Sequence, residues 1–495
     1  MKQKDKEYTE LLHGKELAFE LSILDEIYNA TEGLDRSHLV EIFQVERRTL
    51  YKSIENLNIF SLKKLNQEAI LLNSKNNYIF NGGKEELSLL KVELFETSPA
   101  ILLAKQLLSK PEVNLQTFCI DNYIGESTLR RKIKNANRFL MRFNMQLVIR
   151  KQHIQLTGDE IAIRHGLISF FWMTYHGLKW PFTFLPKEVL DKKLSTFLPT
   201  TSSINEGKRE QFMYILAIMY SRIRLKKHVY TWGIPLHYEI ILVENSLFDN
   251  FKNICEKNFN FPDREVKFFF LFLLTLPDFY IIFKDSLSIL DRFKLSDYPL
   301  YENIFYYFQF LKQKHPDCSL ESENNNYFLA VLLAGIMNID IFKGKSISID
   351  NSIFQDHLDY EFPNLKASLK SFIKETPNSS LITQIDLLSL IYIRSYVMIF
   401  PPHDFEEPIY LLINTDMPMY IEKYIIHTLY NILYSKFNIH FINSEENIEP
   451  DLILSTSLTF TPKTVLINPE VTDKDILNVF HACDEIRKDK SNFVM

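Results

Sequence analysis

The residues with the clearest chemical potential in this sequence form a basic run. Residues 127–151 contain eight lysine and arginine side chains and no aspartate or glutamate. The chain as a whole has 56 basic and 62 acidic residues, a formal net charge of −6, so it does not attract nucleic acid over its whole surface. A local excess of positive charge predicts that a polyanion binds at this window.

The basic run has the periodicity of an amphipathic helix. Four apolar residues recur at i, i+4, i+7 and i+11 and form one stripe, namely Leu129, Ile133, Ala136 and Leu140. Ser127 is expected to cap the helix N-terminus. The polar residues of this helix are candidates for contacts with DNA: Ser127, Thr128, Arg130, Arg131, Lys132, Lys134 and Arg138. The alternative is that they only form a solvated helix face.

The neighbouring segments predict a helix-turn-helix followed by a wing. Upstream, Leu115–Ile120 is expected to be a short helix that a tight turn connects to the basic helix. Downstream, Gln146–Ile149 and Ile154–Leu156 are expected to form two strands. The connection between them carries Arg150 and Lys151, which we expect to contact phosphates of the flanking DNA backbone.

The same arrangement occurs earlier in the chain. A shift of 79 residues, from 39 to 118 for example, superimposes Leu39, Val45, Thr49, Leu50, Ile54 and Asn58 on Phe118, Ile124, Thr128, Leu129, Ile133 and Asn137. Ala69–Phe80 is the corresponding wing, with a turn at residues 76–77. The basic residues of this first copy are Arg47, Arg48 and Lys52, and they are accompanied by Glu41, Glu46 and Glu55. The first copy either contacts DNA or packs as a structural partner, and its sequence leaves both open.

A short motif follows the second copy. Gly158, Glu160, Ile163 and Arg164 form the pattern GxExxIR at the start of a long helical region. Two N-terminal helix-turn-helix units followed by this motif resemble the Mga family of bacterial virulence regulators. The resemblance covers nearly the whole chain in domain order. It implies a transcription factor with paired winged helices, two phosphotransferase-system regulation domains and a C-terminal domain similar to enzyme IIB.

The expected fold is therefore mainly α-helical, with a small α/β domain at the C-terminus. The expected domains are a first winged helix-turn-helix at residues 1–90, a second at 91–170, regulation domains at 171–293 and 294–402, and the enzyme-IIB-like domain at 403–495. Between Trp172 and Phe400 the residue pattern predicts helices independently of the family resemblance, because apolar residues recur at helical spacing between prolines.

The similarity to regulation domains implies control by histidine phosphorylation. The positions where the family places such histidines carry Ala217 and Phe272 instead. His228 and His237 lie nearby and are the candidate phosphorylation sites. The alternative is that each is an ordinary surface or buried structural histidine, which is the more common case in helical proteins.

After residue 402 the chain changes to alternating strands and helices. Ile409–Ile413 is expected to be a strand and Met419–Tyr434 a helix. Further strands are expected at Ile439–Ile442, Leu452–Ser455 and Val465–Ile467, which predicts a small parallel sheet. In enzyme IIB domains a phosphate-accepting cysteine lies in the loop after the first strand. Here that loop, residues 414–418, contains neither cysteine nor glycine, so we expect a structural or dimerising role and no enzyme activity.

Composition argues against several other functions. Glycine is scarce, at 12 of 495 residues, and the patterns GxGxxG, GxxxxGK[ST] and GxSxG are absent. The four cysteines are scattered without a CxxC pair, which argues against a disulfide framework or a zinc site. We expect neither a metal nor a cofactor. The polar N-terminus and the lack of a long apolar run predict a cytoplasmic protein that does not cross a membrane.

Together these patterns favour a sequence-specific DNA-binding transcriptional regulator that binds double-stranded DNA as a homodimer. The family resemblance implies a global or virulence-type activator that responds to phosphocarrier proteins of the phosphotransferase system. Three alternatives stay open at this point: an RNA-binding antiterminator with regulation domains, a phosphotransferase-system component, and a structural interaction protein.

Overall fold

The structure is a computed structural model of the chain. It describes residues 3–195, 205–229, 236–243, 245–283, 299–316, 326–342, 361–376, 384–443, 446–457 and 463–492, together with residues 289, 292 and 358. The chain divides into two compact units. Unit 1 comprises Met1–Arg292 with Asn338–Asp350, and unit 2 comprises Phe293–Met337 with Asn351–Met495.

Unit 1 begins with helices followed by an antiparallel hairpin. The helices are α1 (Gln3–Leu12), α2 (Lys15–Asn29), α3 (Arg36–Phe43) and α4 (Arg47–Leu65), and the strands are β1 (Ile70–Leu72) and β2 (Tyr78–Phe80). Asp35 starts α3 by accepting hydrogen bonds from the backbone N–H groups of Ser37 and His38. The hairpin turns at Asn76, which has a φ of 62°, so the turn predicted from the asparagine pair is confirmed.

A second group of the same kind follows. Its elements are α5 (Lys84–Glu96), α6 (Pro99–Ser109), β3 (Val113–Asn114), α7 (Leu115–Asp121), α8 (Glu126–Leu140), β4 (Met145–Arg150), β5 (His153–Gly158) and α9 (Glu160–Tyr175). The strands form an antiparallel sheet in the order β3-β5-β4. Leu129 and Ile133 of α8 share a core with Phe118 of α7 and Ile154 of β5, which holds the two helices and the hairpin together.

Two details of α8 differ from the sequence prediction. The helix begins at Glu126 with Gly125 as its N-cap, so the prediction that Ser127 is the cap is wrong. The reason is that the chain already turns at Tyr123, whose φ is 53°, and Gly125 then has the extended backbone of a cap residue. In the last turn Phe139 is buried in place of Leu140, because Tyr8 of α1 packs against the Phe139 ring at a centroid distance of 5.0 Å.

The two groups share a side-chain bridge that supports the sequence repeat. Asn58 of α4 donates to the carbonyl of Ile70 and accepts from its N–H, both at 2.8 Å. Asn137 of α8 makes the same pair of bonds with Leu147, at 2.9 and 2.7 Å. Asn58 and Asn137 are the last of the matched positions in the repeat. In each group the asparagine therefore ties the second helix to the first strand of the hairpin.

The remainder of the helical region is built from aromatic-rich helices. They are α10 (Lys187–Leu194), α11 (Glu206–Arg224), α12 (Leu236–Leu242), α13 (Ser246–Phe259), α14 (Asp263–Leu273), α15 (Pro277–Ile282), α16 (Pro299–Lys314), α17 (Asn326–Phe342), α18 (Pro363–Glu375) and α19 (Ile385–Tyr396). Pro262 and Pro277 stand at the starts of α14 and α15, as expected for residues that cannot continue a preceding helix.

The C-terminal part of unit 2 is a parallel sheet with helices. After a 3-10 helix at Pro402–Phe405 come β6 (Ile409–Asn414), α20 (Met419–Leu433), β7 (Ile439–Ile442), β8 (Leu452–Ser455), β9 (Thr464–Leu466) and α21 (Asp473–Asn492). The sheet order is β7-β6-β8-β9 and every pairing is parallel, as the alternation of strands and helices predicted. The strands agree with the predicted ones to within one residue at either end.

The mainly helical fold predicted from the sequence is confirmed. Within the described ranges, no helix is both long and apolar enough to cross a membrane.

Candidate nucleic-acid interface

One face of α8 points away from the protein and is polar along its whole length. Ser127, Arg131, Lys134 and Arg138 recur at i, i+4, i+7 and i+11 on the side opposite the buried Leu129, and each is exposed. This set, here called the outward face, contains three cations and no acidic side chain. The core of the unit therefore holds α8 with these cations directed toward solvent.

The hairpin borders the outward face on one side. A groove of about 580 Å³ runs between α8 and β4, and its lining includes Arg130, Lys134 and Gln146. Arg130 pairs with Glu126 at 2.7 Å and also reaches the side-chain oxygen of Gln152 at 3.5 Å. Glu126 lies one residue outside the acid-free window, so the composition of that window does not reveal it as the partner of Arg130.

The tip of the hairpin presents two exposed cations. Lys151 and Gln152 have positive φ values of 47° and 63°, the backbone of a two-residue hairpin turn. Arg150 and Lys151 are exposed at this tip. The Gln152 carbonyl accepts a hydrogen bond from the Leu115 N–H at 2.8 Å, which ties the tip to the start of α7. The two strands predicted for the wing thus form a hairpin whose tip is bonded to the start of α7.

The other side of α8 lies against the corner between α1 and α2. Lys132 is half-buried there, and its Nζ donates to the His13 carbonyl at 3.2 Å. Burial lowers the pKa of the Lys132 ammonium. Thr128 is half-buried and lines the cavity at this corner. The structure therefore separates Lys132 and Thr128 from the outward face, although all of them belong to the same basic run.

The corresponding face of the first group has a different charge pattern. At the positions matched by the repeat, α4 carries Arg48, Lys52, Glu55 and Ile59 where α8 carries Ser127, Arg131, Lys134 and Arg138. Arg47, Arg48 and Lys52 are all exposed, but so is Glu55, and Ile59 is 60% exposed. Because Glu55 offsets one of the cations, this surface has a lower net positive charge than the outward face of α8.

The GxExxIR motif begins with a glycine that the hairpin requires. Gly158 pairs with Met145 at the end of the hairpin and has a φ of 143°. A Cβ at this position would lie 2.1 Å from the Asn144 carbonyl oxygen. Ile163, the aliphatic member of the motif, is 2% exposed. Both residues thus serve packing at the junction between the hairpin and α9.

The two charged members of the motif form a buried ion cluster. Arg164 is fully buried, with Nε 3.1 Å from Glu160 Oε1 and Nη1 2.6 Å from Glu265 Oε2. Arg222 of α11 pairs with the same Glu160 at 2.7 Å. The cluster connects α9, which follows the hairpin directly, with α11 and α14. Sequence spacing could not reveal it, since Arg164 and Glu265 are 101 residues apart.

One of the two candidate phosphorylation sites, His228, lies beside this ion cluster. His228 Nδ1 is 3.3 Å from Glu265 Oε1, and its side chain is 18% exposed. The side chain of His237 lies outside the described residues. Ala217 and Phe272, which occupy the positions expected for the family histidines, are both completely buried. Phosphorylation of His228 or His237 stays a prediction.

Two other histidines are buried without having been singled out by the sequence. His13 Nδ1 lies 2.8 Å from Ser98 Oγ, and burial with the nearby Lys132 lowers the pKa of His13 to about 3. Burial lowers the pKa of His165 to about 3 as well. Both imidazoles are therefore neutral at physiological pH and act as packing groups.

The loop after β6 is closed by hydroxyl groups. Thr415 Oγ1 lies 2.8 Å from Thr456 Oγ1 and accepts a hydrogen bond from the Met417 N–H at 3.1 Å. Cys483 is buried in α21, and burial raises the pKa of its thiol to about 12. Among the residues that the structure describes, no group of three or more histidine, cysteine, aspartate or glutamate side chains is placed to hold a metal ion.

A comparison with known protein families matches the part of the chain that contains α8. Residues 83–171 match the family described as the Mga helix-turn-helix domain, and this range runs from the start of α5 into α9. The chain is also similar to the capsule synthesis positive regulator AcpB of Bacillus anthracis, with 22% identity over 216 residues. That match covers 42% of this chain and 42% of AcpB. The resemblance drawn from the motifs is thereby confirmed: the chain contains an Mga helix-turn-helix domain and is similar to AcpB over less than half the length of either protein.

Proposed function

We propose that this protein is a sequence-specific DNA-binding transcriptional regulator in which α8 enters the major groove. The observation that carries the proposal is the outward face of α8, where Arg131, Lys134 and Arg138 are exposed side by side. Its place in the second helix of a helix-turn-helix supports the same function. In proteins of this kind the second helix lies in the groove and the preceding helix crosses the backbone.

The outward face of α8 and the hairpin tip fit different parts of a duplex. A major groove is about 12 Å wide and admits one α-helix, so the outward face would meet base edges and the adjacent phosphates. Arginine commonly reads guanine through two hydrogen bonds. Arg150 and Lys151 at the hairpin tip would contact the backbone beside the groove. Arg130 would need to leave Glu126 to reach DNA, and Lys132 would contribute through its field without direct contact.

The remaining assignments belong to the same proposal. We propose that the protein acts in the cytoplasm as a homodimer and that it activates transcription, since AcpB is named a positive regulator. The helical segments at 171–293 and 294–402 would act as regulation domains, and the parallel sheet after residue 402 as an enzyme-IIB-like domain without catalytic function. The first helix-turn-helix group, with its mixed charges, would have the weaker role in DNA binding.

The test compares two triple variants that remove the same charge. Arg131→Ala/Lys134→Ala/Arg138→Ala removes the cations of the outward face. The control removes three exposed lysines from other helices: Lys257→Ala, Lys312→Ala and Lys374→Ala. Because Arg contacts to bases and phosphates are each worth roughly 1–3 kcal/mol, the first variant should lose about 100-fold or more in affinity. The slope of log binding constant against log salt concentration should also become shallower by about 0.9 for each lost phosphate contact.

Binding is measured by fluorescence anisotropy with a labelled duplex selected by the protein from a random-sequence library. The control should bind within about threefold of the unaltered protein, and all three proteins should give the same far-UV circular dichroism. Equal affinity of the two triple variants would refute the assignment of α8. Tighter binding to hairpin RNA than to any duplex would refute DNA as the target and favour an antiterminator.

A further inference from the structure

The corner between α1 and α2 is fixed against α8. The His13 carbonyl accepts from Lys132 Nζ at 3.2 Å, and the His13 ring stacks on Phe170 with a centroid distance of 5.6 Å. Gly14 follows with a φ of 108°, and a Cβ there would lie 3.1 Å from Lys132 Nζ. The close approach of this corner to α8 is therefore built into the core of the unit.

The corner places acidic side chains beside the basic helix. A cavity of about 910 Å³ separates the two and is lined by Glu7, Glu10, Glu16 and Glu20 on one side. Arg131, Lys132 and Arg138 line the other side. The four glutamates are here called the acidic wall. Two of the cations that face it, Arg131 and Arg138, also belong to the outward face.

The members of the acidic wall differ in charge. Glu7 pairs with Arg142 at 3.1 Å, so its charge is largely compensated. Burial and the neighbouring Glu16 raise the pKa of Glu20 to about 7, which leaves it partly protonated at neutral pH. Glu16 is exposed and Glu10 is half-buried. Glu10 and Glu16 therefore supply most of the free negative charge of the wall.

We infer that the acidic wall weakens the electrostatic attraction between the cations of α8 and the phosphates of DNA. This inference rests on the proposed function. When α8 lies in a major groove with its hairpin side toward one strand, the phosphates of the other strand approach the α1 side and meet the wall. A unit charge about 10 Å from a phosphate in water changes affinity by about twofold, and nearer phosphates add to this. The wall thus weakens attachment to the excess of non-target DNA, which is the main competitor of a regulator in the cell.

The experiment uses the full chain and a 30-base-pair duplex of random sequence, at about 50 and 200 mM salt. Glu10→Gln/Glu16→Gln should bind this duplex roughly four- to tenfold more tightly than the unaltered protein at the lower salt, with a smaller gain at the higher salt. The matched control, Glu188→Gln/Glu239→Gln, removes two exposed carboxylates from α10 and α12 and should change affinity less than twofold. Thermal unfolding midpoints within about 2 °C of one another show that the folds are equivalent.

A variant of opposite sign makes the test independent of any loss of structure. Lys15 is exposed and lines the same cavity, so Lys15→Glu should weaken binding to the random duplex by a similar factor. Equal affinity of the wall variant and its control, or no effect of Lys15→Glu, would overturn the inference. Failure of the unaltered protein to bind any duplex would overturn the proposed function itself, which is a different result.

Discussion

Arg164 offers the sharpest test of how the second helix-turn-helix group is attached to the helices that follow. Its guanidinium is fully buried and donates to Glu160, to Glu265, to the Lys227 carbonyl at 2.8 Å and to the Met219 sulfur at 3.7 Å. Arg164→Met keeps most of the side-chain volume and removes the charge. Glu160 keeps Arg222 as a partner. Among the described residues, the groups that stay paired with Glu265 are the Val229 N–H at 2.8 Å and His228 at 3.3 Å, and neither is a permanent cation.

The expected loss follows from this imbalance. Breaking a buried ion pair by removing one partner costs about 3–5 kcal/mol, because the other charge stays buried and uncompensated. The free energy of unfolding of an ordinary domain is about 5–15 kcal/mol, so the variant should lose a large fraction of the stability of unit 1. Arg164→Met/Glu265→Gln removes both charges and should recover most of the loss.

The assay is urea unfolding followed by tryptophan fluorescence. The three tryptophans, at 172, 180 and 232, all fall in unit 1, so this signal reports that unit. Arg209→Met is the matched control, because Arg209 pairs with the half-exposed Asp191 at 2.8 Å and its loss should cost less than about 1 kcal/mol. A loss below about 1 kcal/mol for Arg164→Met, or a double variant no more stable than the single one, would refute the reasoning.

Two further variants test the hairpin and the α1–α2 corner. Gly158→Ala should destabilise unit 1 by at least about 2 kcal/mol in the same assay, since its φ is 143° and its Cβ would overlap the Asn144 carbonyl. Gly207→Ala in α11, where a Cβ meets nothing closer than 3.7 Å, should be neutral or stabilising, and equal effects of the two would contradict this account. His13 stays neutral in the folded protein down to about pH 3, whereas in the unfolded chain it takes up a proton below pH 6.5. The contribution of His13 to the free energy of unfolding is therefore full above pH 6.5 and falls as the pH decreases. Between pH 7 and pH 5 the unfolding free energy should therefore drop about 2 kcal/mol more in the unaltered protein than in His13→Gln, and parallel pH curves would show that His13 titrates normally.

Local patterns in the sequence were enough to predict the elements that build the candidate site. The stripe of Leu129 and Ile133 predicted α8, and the two short strand segments on either side of Arg150 predicted the hairpin beside it. These predictions succeed because helix and strand periodicities are properties of consecutive residues. The parallel sheet after residue 402 followed from the same kind of pattern. The Mga resemblance rested on a repeat and a short motif, which are also local.

The partners of the basic residues could not be obtained in this way. Lys132 and Arg131 are adjacent in the chain, yet one is held by the His13 carbonyl and the other is exposed. The bond between Lys132 and His13 joins residues 119 positions apart, and the pair of Arg164 and Glu265 spans 101. The local sequence around Lys132 and Arg164 does not identify these distant partners.

The sequence by itself therefore determined that a basic helix and a hairpin exist and that they belong to an Mga-type helix-turn-helix. Only the tertiary structure decided which cations remain free. The reason is physical: the helical period assigns a residue to a face, whereas packing decides what covers that face. On α8 the hairpin covers one flank, the acidic corner of α1 and α2 covers the other, and Arg131, Lys134 and Arg138 remain exposed between them.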